Sequence, residues 1–245
     1  MNILQAIILG LVQGMTEFLP VSSSAHLVIV QSKLSGFDQQ GVVFDVVLHA
    51  GTLVSVLYVF RDKLREITIK EIGLYAVAMV PAVVAGFLFR GFFEILFESV
   101  RAVGFALFIT GTMNLLVDRV VARREKVGRL DAILIGISQA VAIIPGISRS
   151  GTTIFTAVNL GIDRRKAAEF SYMLSIPAIV GANILEIATH GLNNGLPFSI
   201  YIVGFFSALI SGYVGINMMM RFLVEKRIRF FGLYCFALGI FAILS

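Results

Sequence analysis

Two short polar stretches hold the residues of this chain that could do chemistry. The first, Gln13-Gly14-Met15-Thr16-Glu17-Phe18-Leu19-Pro20-Val21-Ser22-Ser23-Ser24-Ala25-His26, sets an amide and a carboxylate four positions apart, hence on one helix face, ahead of three serines and a histidine. The second, Pro145-Gly146-Ile147-Ser148-Arg149-Ser150-Gly151-Thr152-Thr153, surrounds Arg149 with hydroxyls and flanks it with glycines. A carboxylate such as Glu17 can hold a hard divalent cation, and a histidine such as His26 can move protons near neutral pH. The five fixed donors of Arg149, beside serine hydroxyls and backbone N–H groups freed by the glycines, suit a phosphate. Together these form a phosphoryl-transfer inventory, unaccompanied by a P-loop, a zinc-spaced histidine pair or a nucleotide fingerprint. Taken alone, the second stretch is equally an inter-helix turn whose Arg149 snorkels to the headgroups. The first stretch tips the balance.

The elements that must position these residues are membrane helices. The chain is 58% hydrophobic and 14% charged with a mean hydropathy of +0.91, too little polar content to cover the surface of a soluble domain. The net charge of +5 reads as loop charge that sets topology, with no nucleic-acid partner implied. The single Cys235 excludes an intrachain disulfide framework and reads as a small buried hydrophobe. Residues 3 to 15 are apolar but too short to span, and Leu27 to Val30 is shorter still. Two half-length pieces around a polar break predict a re-entrant hairpin, and the second polar stretch is flanked in the same way. Full-length spans are predicted at about 43–60, 73–93, 101–121, 168–190, 198–220 and 229–245, each near the ~20 residues a bilayer core needs.

The pattern of hairpin and three spans therefore occurs twice, at an offset of 126 residues that pairs Gly10 with Gly136, Gln13 with Gln139, Ser22 with Ser148, Ser24 with Ser150, Phe44 with Phe170, Leu48 with Leu174 and Val54 with Val180. An odd number of spans per copy inverts the second copy. The fold expected is an all-α integral membrane protein with six transmembrane helices plus two re-entrant helical hairpins, arranged as two inverted-topology repeats, 1–125 and 126–245. Arg61, Lys63, Arg65 and Lys70; Arg119, Arg123, Arg124, Lys126 and Arg129; Arg164, Arg165 and Lys166; and Arg221, Lys226, Arg227 and Arg229 all fall on one face, which is expected to be cytoplasmic. The other face is less clean, because Arg90 and Arg101 flank a stretch with Glu94 and Glu98. On this topology the hairpins dip in from opposite sides and their polar tips meet near the midplane.

Gln13 to His26 resembles the first motif of the bacterial undecaprenyl-diphosphate phosphatases, the family tied to bacitracin resistance, and Pro145 to Gly151 resembles its second motif. The resemblance implies hydrolysis of undecaprenyl diphosphate to undecaprenyl phosphate, the lipid carrier for peptidoglycan precursors. It also implies a divalent cation, Mg2+ or Ca2+, and a multi-pass protein of the plasma membrane with a site reached from the outer, periplasmic face. Where many members carry a first glutamate this chain has Gln13, which leaves Glu17 as the sole motif carboxylate and the one metal ligand. Catalytic duty falls on Glu17, Ser23, His26 and Arg149. Substrate contacts are expected from Gln13, Ser22, Ser24, Gly146, Ser148, Ser150, Gly151 and Thr152.

Arg149, with backbone N–H groups around Gly146 and Gly151, is expected to bind the diphosphate. The attacking group stays open between Ser23 with His26 as base, water activated by His26, and His26 itself. His49 and His190 lie in no motif and are read as structural or interfacial, as are Asp45 and Glu186, paired with arginines or lining the site. The 21 phenylalanines read mainly as packing or lipid-facing residues. The runner-up function is a lipid-phosphate flippase or an anion transporter, since broken helices meeting at the midplane also build transport sites. The bilayer and the prenyl diphosphate are the partners foreseen, with a homodimer allowed for.

Overall fold

A computed structural model of the chain describes residues 1–34, 43–97, 99–191 and 195–244; Glu98 and the side chains of Glu94 and His190 lie outside what is described. Among the described residues the regular structure is helical: α1 (Ile3–Phe18), α2 (Ser23–Lys33), α3 (Val43–Val59), α4 (Arg61–Arg65), α5 (Ile69–Leu88), α6 (Arg90–Phe97), α7 (Val100–Val117), α8 (Arg129–Val141), α9 (Arg149–Asn159), α10 (Arg164–His190), α11 (Phe198–Val224) and α12 (Arg229–Leu244). Of these, α5, α7, α10 and α11 are long and apolar enough to cross a membrane, and α1, α3 and α12 are shorter apolar helices. Phe87, Ile184, Phe198 and Ile210 stand exposed on the outside of the bundle. An apolar exterior around a helical interior is that of a multi-pass membrane protein.

Both polar stretches interrupt helices, but the breaks are tighter than hydropathy suggests. Thr16, Glu17 and Phe18 complete the last turn of α1, and α2 starts at Ser23, leaving only residues 19–22 irregular. In the second stretch α8 ends at Val141 and α9 begins at Arg149, so Arg149 to Thr153 form a first helical turn instead of extending the break. A serine decides each restart: Ser22 Oγ accepts from Ala25 N at 3.4 Å and Ser148 Oγ accepts from Gly151 N at 3.1 Å. The span expected at 73–93 begins earlier because Thr68 and Glu71 form a reciprocal cap, and it ends at Leu88 before the separate α6.

The half-length helices lie against spans from the other half of the chain. Helix α1 packs on α11 and α8 on α5, while α3 packs on α10 and α7 on α12. At Gly10 a Cβ would stand 2.7 Å from the carbonyl oxygen of Gly204, and at Gly136 it would collide with the carbonyl of Ala78. Both positions need glycine for the close approach, and Ala78 and Gly204 are themselves 126 residues apart.

The basic clusters are knitted together at one end. Lys63 pairs with Glu169 at 3.7 Å, Arg164 with Asp118 at 3.4 Å, and the Arg229 N–H donates to Asp118 Oδ2 at 2.9 Å. Arg124 forms a bidentate pair with Asp131, both bonds 2.8 Å, and also donates to the Leu160 carbonyl. At the opposite end Arg90 donates to Thr189 Oγ1 at 2.8 Å.

Candidate active site

The last turn of α1 delivers Glu17 to the first residues of α2 and α9. Glu17 Oε2 accepts from Ser23 Oγ at 2.8 Å and from Gln13 Nε2 at 3.0 Å, one helical turn back. Its other oxygen, Oε1, accepts from Arg149 Nη2 at 2.8 Å. A second guanidinium nitrogen of Arg149 donates to the Ser171 carbonyl of α10 at 3.4 Å, fixing the plane of the fork. The pair is buried: the Glu17 side chain is 8% exposed and that of Arg149 16%.

The tips of the two breaks touch each other. Ser150 Oγ donates to the Leu19 carbonyl at 3.1 Å, Asn114 of α7 donates to the Pro20 carbonyl at 2.6 Å, and Thr110 donates to the Gly146 carbonyl at 2.8 Å. Each break turns through one left-handed residue, Ser22 at φ 68 and Gly146 at φ 97. At Gly146 a Cβ would stand 2.5 Å from the Val103 carbonyl, so no side chain fits there. Ser22 is a non-glycine held in this region by its neighbours, the kind of strain that gathers at functional sites.

Several residues expected at the substrate are already hydrogen-bonded within the frame. Ser148, Ser150, Thr152 and Ser22 are all buried. Their hydroxyls cap helices or bond back to carbonyls, as Thr152 Oγ1 does to the Ser148 carbonyl at 2.7 Å. The Gly151 N–H, expected to bind phosphate, is taken by Ser148 Oγ. Among the described residues no hydrogen bond joins the His26 ring to Ser23, Glu17 or Arg149. Its Nδ1 lies 2.7 Å from the Ser22 carbonyl, which can only accept, so Nδ1 carries the proton. Nε2 lies 2.7 Å from Tyr234 Oη of α12 and, in the neutral ring, accepts from it. His26 thus makes the same bond, four residues back to the capping serine, that Thr152 makes 126 positions later.

One residue in contact with the cluster carries no motif signal. His49 of α3 places Nδ1 3.0 Å from Gln13 Nε2 and 3.9 Å from Glu17 Oε2, with its side chain 32% exposed. The available signal was the general one that an ionisable group inside a span is expensive and functional by default. Glu17, Ser23, Ser24, Arg149 and His49 are only partly buried, and these are the polar groups a ligand can reach.

Among the described residues no group of three His, Cys, Asp or Glu gathers to hold a metal. Glu17 stands as a lone carboxylate whose two oxygens already accept three donors. This donor set does not fit a resident divalent cation held by protein alone; it fits one whose remaining ligands come from a substrate's phosphate oxygens.

A helical membrane protein that closes a carboxylate, a serine and an arginine between two broken helices has the groups to bind an anion. The helix N-termini of α2 and α9 flank the same carboxylate, and the N–H groups of Ser23, Ser24, Arg149 and Ser150 enter no bond among the described residues. Comparison with known proteins makes this specific. The chain belongs to the family described as bacitracin resistance protein BacA, whose profile matches residues 6–241. It is 43% identical over 251 residues to an undecaprenyl-diphosphatase of Carboxydothermus hydrogenoformans, covering 98% of this chain and 96% of the relative. It is 37% identical to the undecaprenyl-diphosphatase of Syntrophotalea carbinolica, over 98% and 97% of the two chains, and 39% identical to that of Halothermothrix orenii, over 100% and 98%.

Proposed function

We propose that this protein hydrolyses undecaprenyl diphosphate to undecaprenyl phosphate and inorganic phosphate, the activity for which its relatives are named, and so returns the lipid carrier to cell-wall synthesis and confers bacitracin resistance. The observation that carries this reading is a single buried carboxylate that accepts a serine hydroxyl and an arginine, each at 2.8 Å. Binding an anion requires the arginine. It does not require a hydroxyl aimed at a carboxylate, which is the arrangement that prepares a nucleophile.

In the proposed reaction Arg149 shifts its donors from Glu17 to the terminal phosphoryl group, joined by the unpaired N–H groups at the starts of α2 and α9. Ser23 Oγ attacks the terminal phosphorus and passes its proton to Glu17 Oε2. The bridging P–O bond breaks and undecaprenyl phosphate leaves, so no proton donor is needed for the leaving group. Water then attacks the phosphoserine. Ser23 departs with the proton held by Glu17, and phosphate departs with one proton of the water while the other goes to solvent. His26 holds the Ser22 carbonyl and hence the start of α2. Gln13 and Ser24 lie beside the reacting groups. Glu17 is the protein carboxylate that would hold a divalent cation, Mg2+ or Ca2+, which would supply charge neutralisation on the diphosphate.

The wider reading is six spans and two re-entrant hairpins in inverted repeats 1–125 and 126–245, inserted in the bacterial inner membrane. It is supported by the exchanged packing of α1 on α11 and α8 on α5, and by the two serine caps and the two glycine contacts that recur at one offset. The gathered basic clusters favour a cytoplasmic face at that end. His49, more exposed than Glu17 and Arg149, lies in the half of α3 away from that end, which favours access from the periplasmic side.

The deciding experiment supplies purified protein in detergent with undecaprenyl diphosphate and measures phosphate release with and without EDTA. Release that is lost in Glu17→Ala and Arg149→Ala is the expected result. Tight binding of the diphosphate without any release would favour the flippase or anion-transporter reading.

A further inference from the structure

We propose that His49 is the positioning residue that sets the orientation of the Gln13 amide and, through it, the state of Glu17. The inference rests on the phosphatase reading of the Glu17 cluster. Gln13 Nε2 has two hydrogens and two partners, Glu17 Oε2 at 3.0 Å and His49 Nδ1 at 3.0 Å. An amide nitrogen only donates, so His49 Nδ1 must accept, which places the ring proton on Nε2. The Gln13 amide oxygen is buried and has no hydrogen-bond partner among the described residues. Turning the amide over would set that oxygen 3.0 Å from the Glu17 carboxylate, oxygen against anion. Two acceptors in this arrangement, one a carboxylate and one an imidazole lone pair, hold the amide with both hydrogens inward at the expense of its oxygen.

The consequence reaches Ser23. Glu17 Oε2 is the atom that accepts from both Gln13 and Ser23. A fixed donor from Gln13 therefore fixes the oxygen that receives the serine proton. Without an acceptor at position 49 one amide hydrogen loses its partner, the amide is released to rotate, and Oε2 loses its alignment. The position 126 residues after His49 is Ser175, whose hydroxyl bonds back to the Tyr172 carbonyl at 2.6 Å in its own helix. His49, like Glu17 and Ser23, therefore stands at a position where the two halves differ, whereas the serine caps stand where they agree.

The test uses the full chain in detergent with undecaprenyl diphosphate and compares His49→Leu with His49→Asn. Asparagine places an oxygen close to where Nδ1 stood; leucine fills the space and accepts nothing. His49→Leu is expected to lower kcat roughly tenfold, the worth of one hydrogen bond to a charged network, with KM within about twofold of the parent. His49→Asn is expected to recover most of that loss. Gln13→Leu combined with His49→Leu is expected to be no worse than Gln13→Leu alone, since one residue acts through the other. If His49→Leu does not fold, His49→Ala replaces it, leaving only a gap on a partly exposed side. Equal losses in the Leu and Asn variants, multiplying losses in the double variant, or full activity of His49→Leu would each overturn the proposal. Glu17→Ala and Arg149→Ala run alongside with the parent: their inactivity with a fully active His49→Leu sinks this inference alone, their full activity sinks the assignment of the Glu17 cluster as the site, and a parent that releases no phosphate sinks the phosphatase reading itself.

Discussion

Glu17 accepts three donors at once, so a change in any one of them is felt by the carboxylate. Arg149 and Glu17 are buried together, and removing one partner of such a pair costs about 3–5 kcal/mol because the other charge is left uncompensated. Arg149→Ala therefore needs a folding control, and Arg149→Lys is the sharper probe. Lysine keeps the charge but cannot reach both Glu17 Oε1 and the Ser171 carbonyl from one plane. Its turnover is expected to fall about a hundredfold with the thermal midpoint little changed, since a preorganised donor to a transferring group is worth about that much; phosphate release near the parent rate would refute the assignment. His26 separates two roles in the same way. If it holds the Ser22 carbonyl, His26→Asn, which keeps a donor on the short side of the ring, retains far more activity than His26→Ala. If it is a base, both are equally inactive. At this scale the sequence made Glu17, Ser23 and Arg149 legible because each sits in a polar run inside an apolar chain. His49 was not, because it lies 36 residues from Gln13 in a different span, and a helical period does not say which neighbouring helix a face will meet.

The broken helices set how well those groups can be held. Each restarts on a capping serine, with the left-handed residue being Ser22 itself in the first break and Gly146 in the second, and the second break gives a controlled comparison. Gly146 has φ 97 and its Cβ would meet the Val103 carbonyl, whereas Gly161 has φ 85 with nothing within 4 Å. Gly161→Ala should therefore cost only the conformational penalty, about 1 kcal/mol, and leave turnover unchanged. Gly146→Ala adds an overpacking cost of about 1–3 kcal/mol and displaces the start of α9 that carries Arg149, so activity falls with stability. Denaturation in detergent alongside phosphate release checks both; equal costs at the two positions would mean that the break is looser than the Val103 contact implies. Hydropathy marked both breaks and the ends of α3, α7, α11 and α12 to within a few residues. It overestimated the breaks because Glu17 and Arg149 are polar yet helical, and their polarity is spent on tertiary partners instead of on their own helix backbone. Caps, which decide where a helix begins, are hydrogen bonds of one residue and leave no mark on an average over twenty.

Across the whole molecule the two halves share a frame and differ in chemistry. Ser22 and Ser148 cap, His26 and Thr152 bond back to those serines, and Gly10 and Gly136 admit a crossing span, all at one spacing. At the same spacing Glu17 faces Ile143 and Ser23 faces Arg149, so one copy supplies the carboxylate and hydroxyl and the other the cation. The inverted arrangement proposed above has the two halves approach from opposite sides, which makes orientation testable apart from activity. Loops rich in lysine and arginine resist translocation, and all four basic clusters belong to loops joined by ion pairs and hydrogen bonds at one end. Val121 lies in that region and is 72% exposed; Phe198, at the start of α11 and so at the far end, is 76% exposed. The native Cys235 is buried and leaves a low background for thiol labelling. With a membrane-impermeant maleimide, Phe198→Cys is expected to label in intact spheroplasts and Val121→Cys only after the membrane is inverted or opened. The reverse pattern would turn the molecule over and move the reach of His49 to the cytoplasmic side. Labelling of both from one side would overturn the proposed arrangement, because α10, the one proposed span between the two residues, would then not cross.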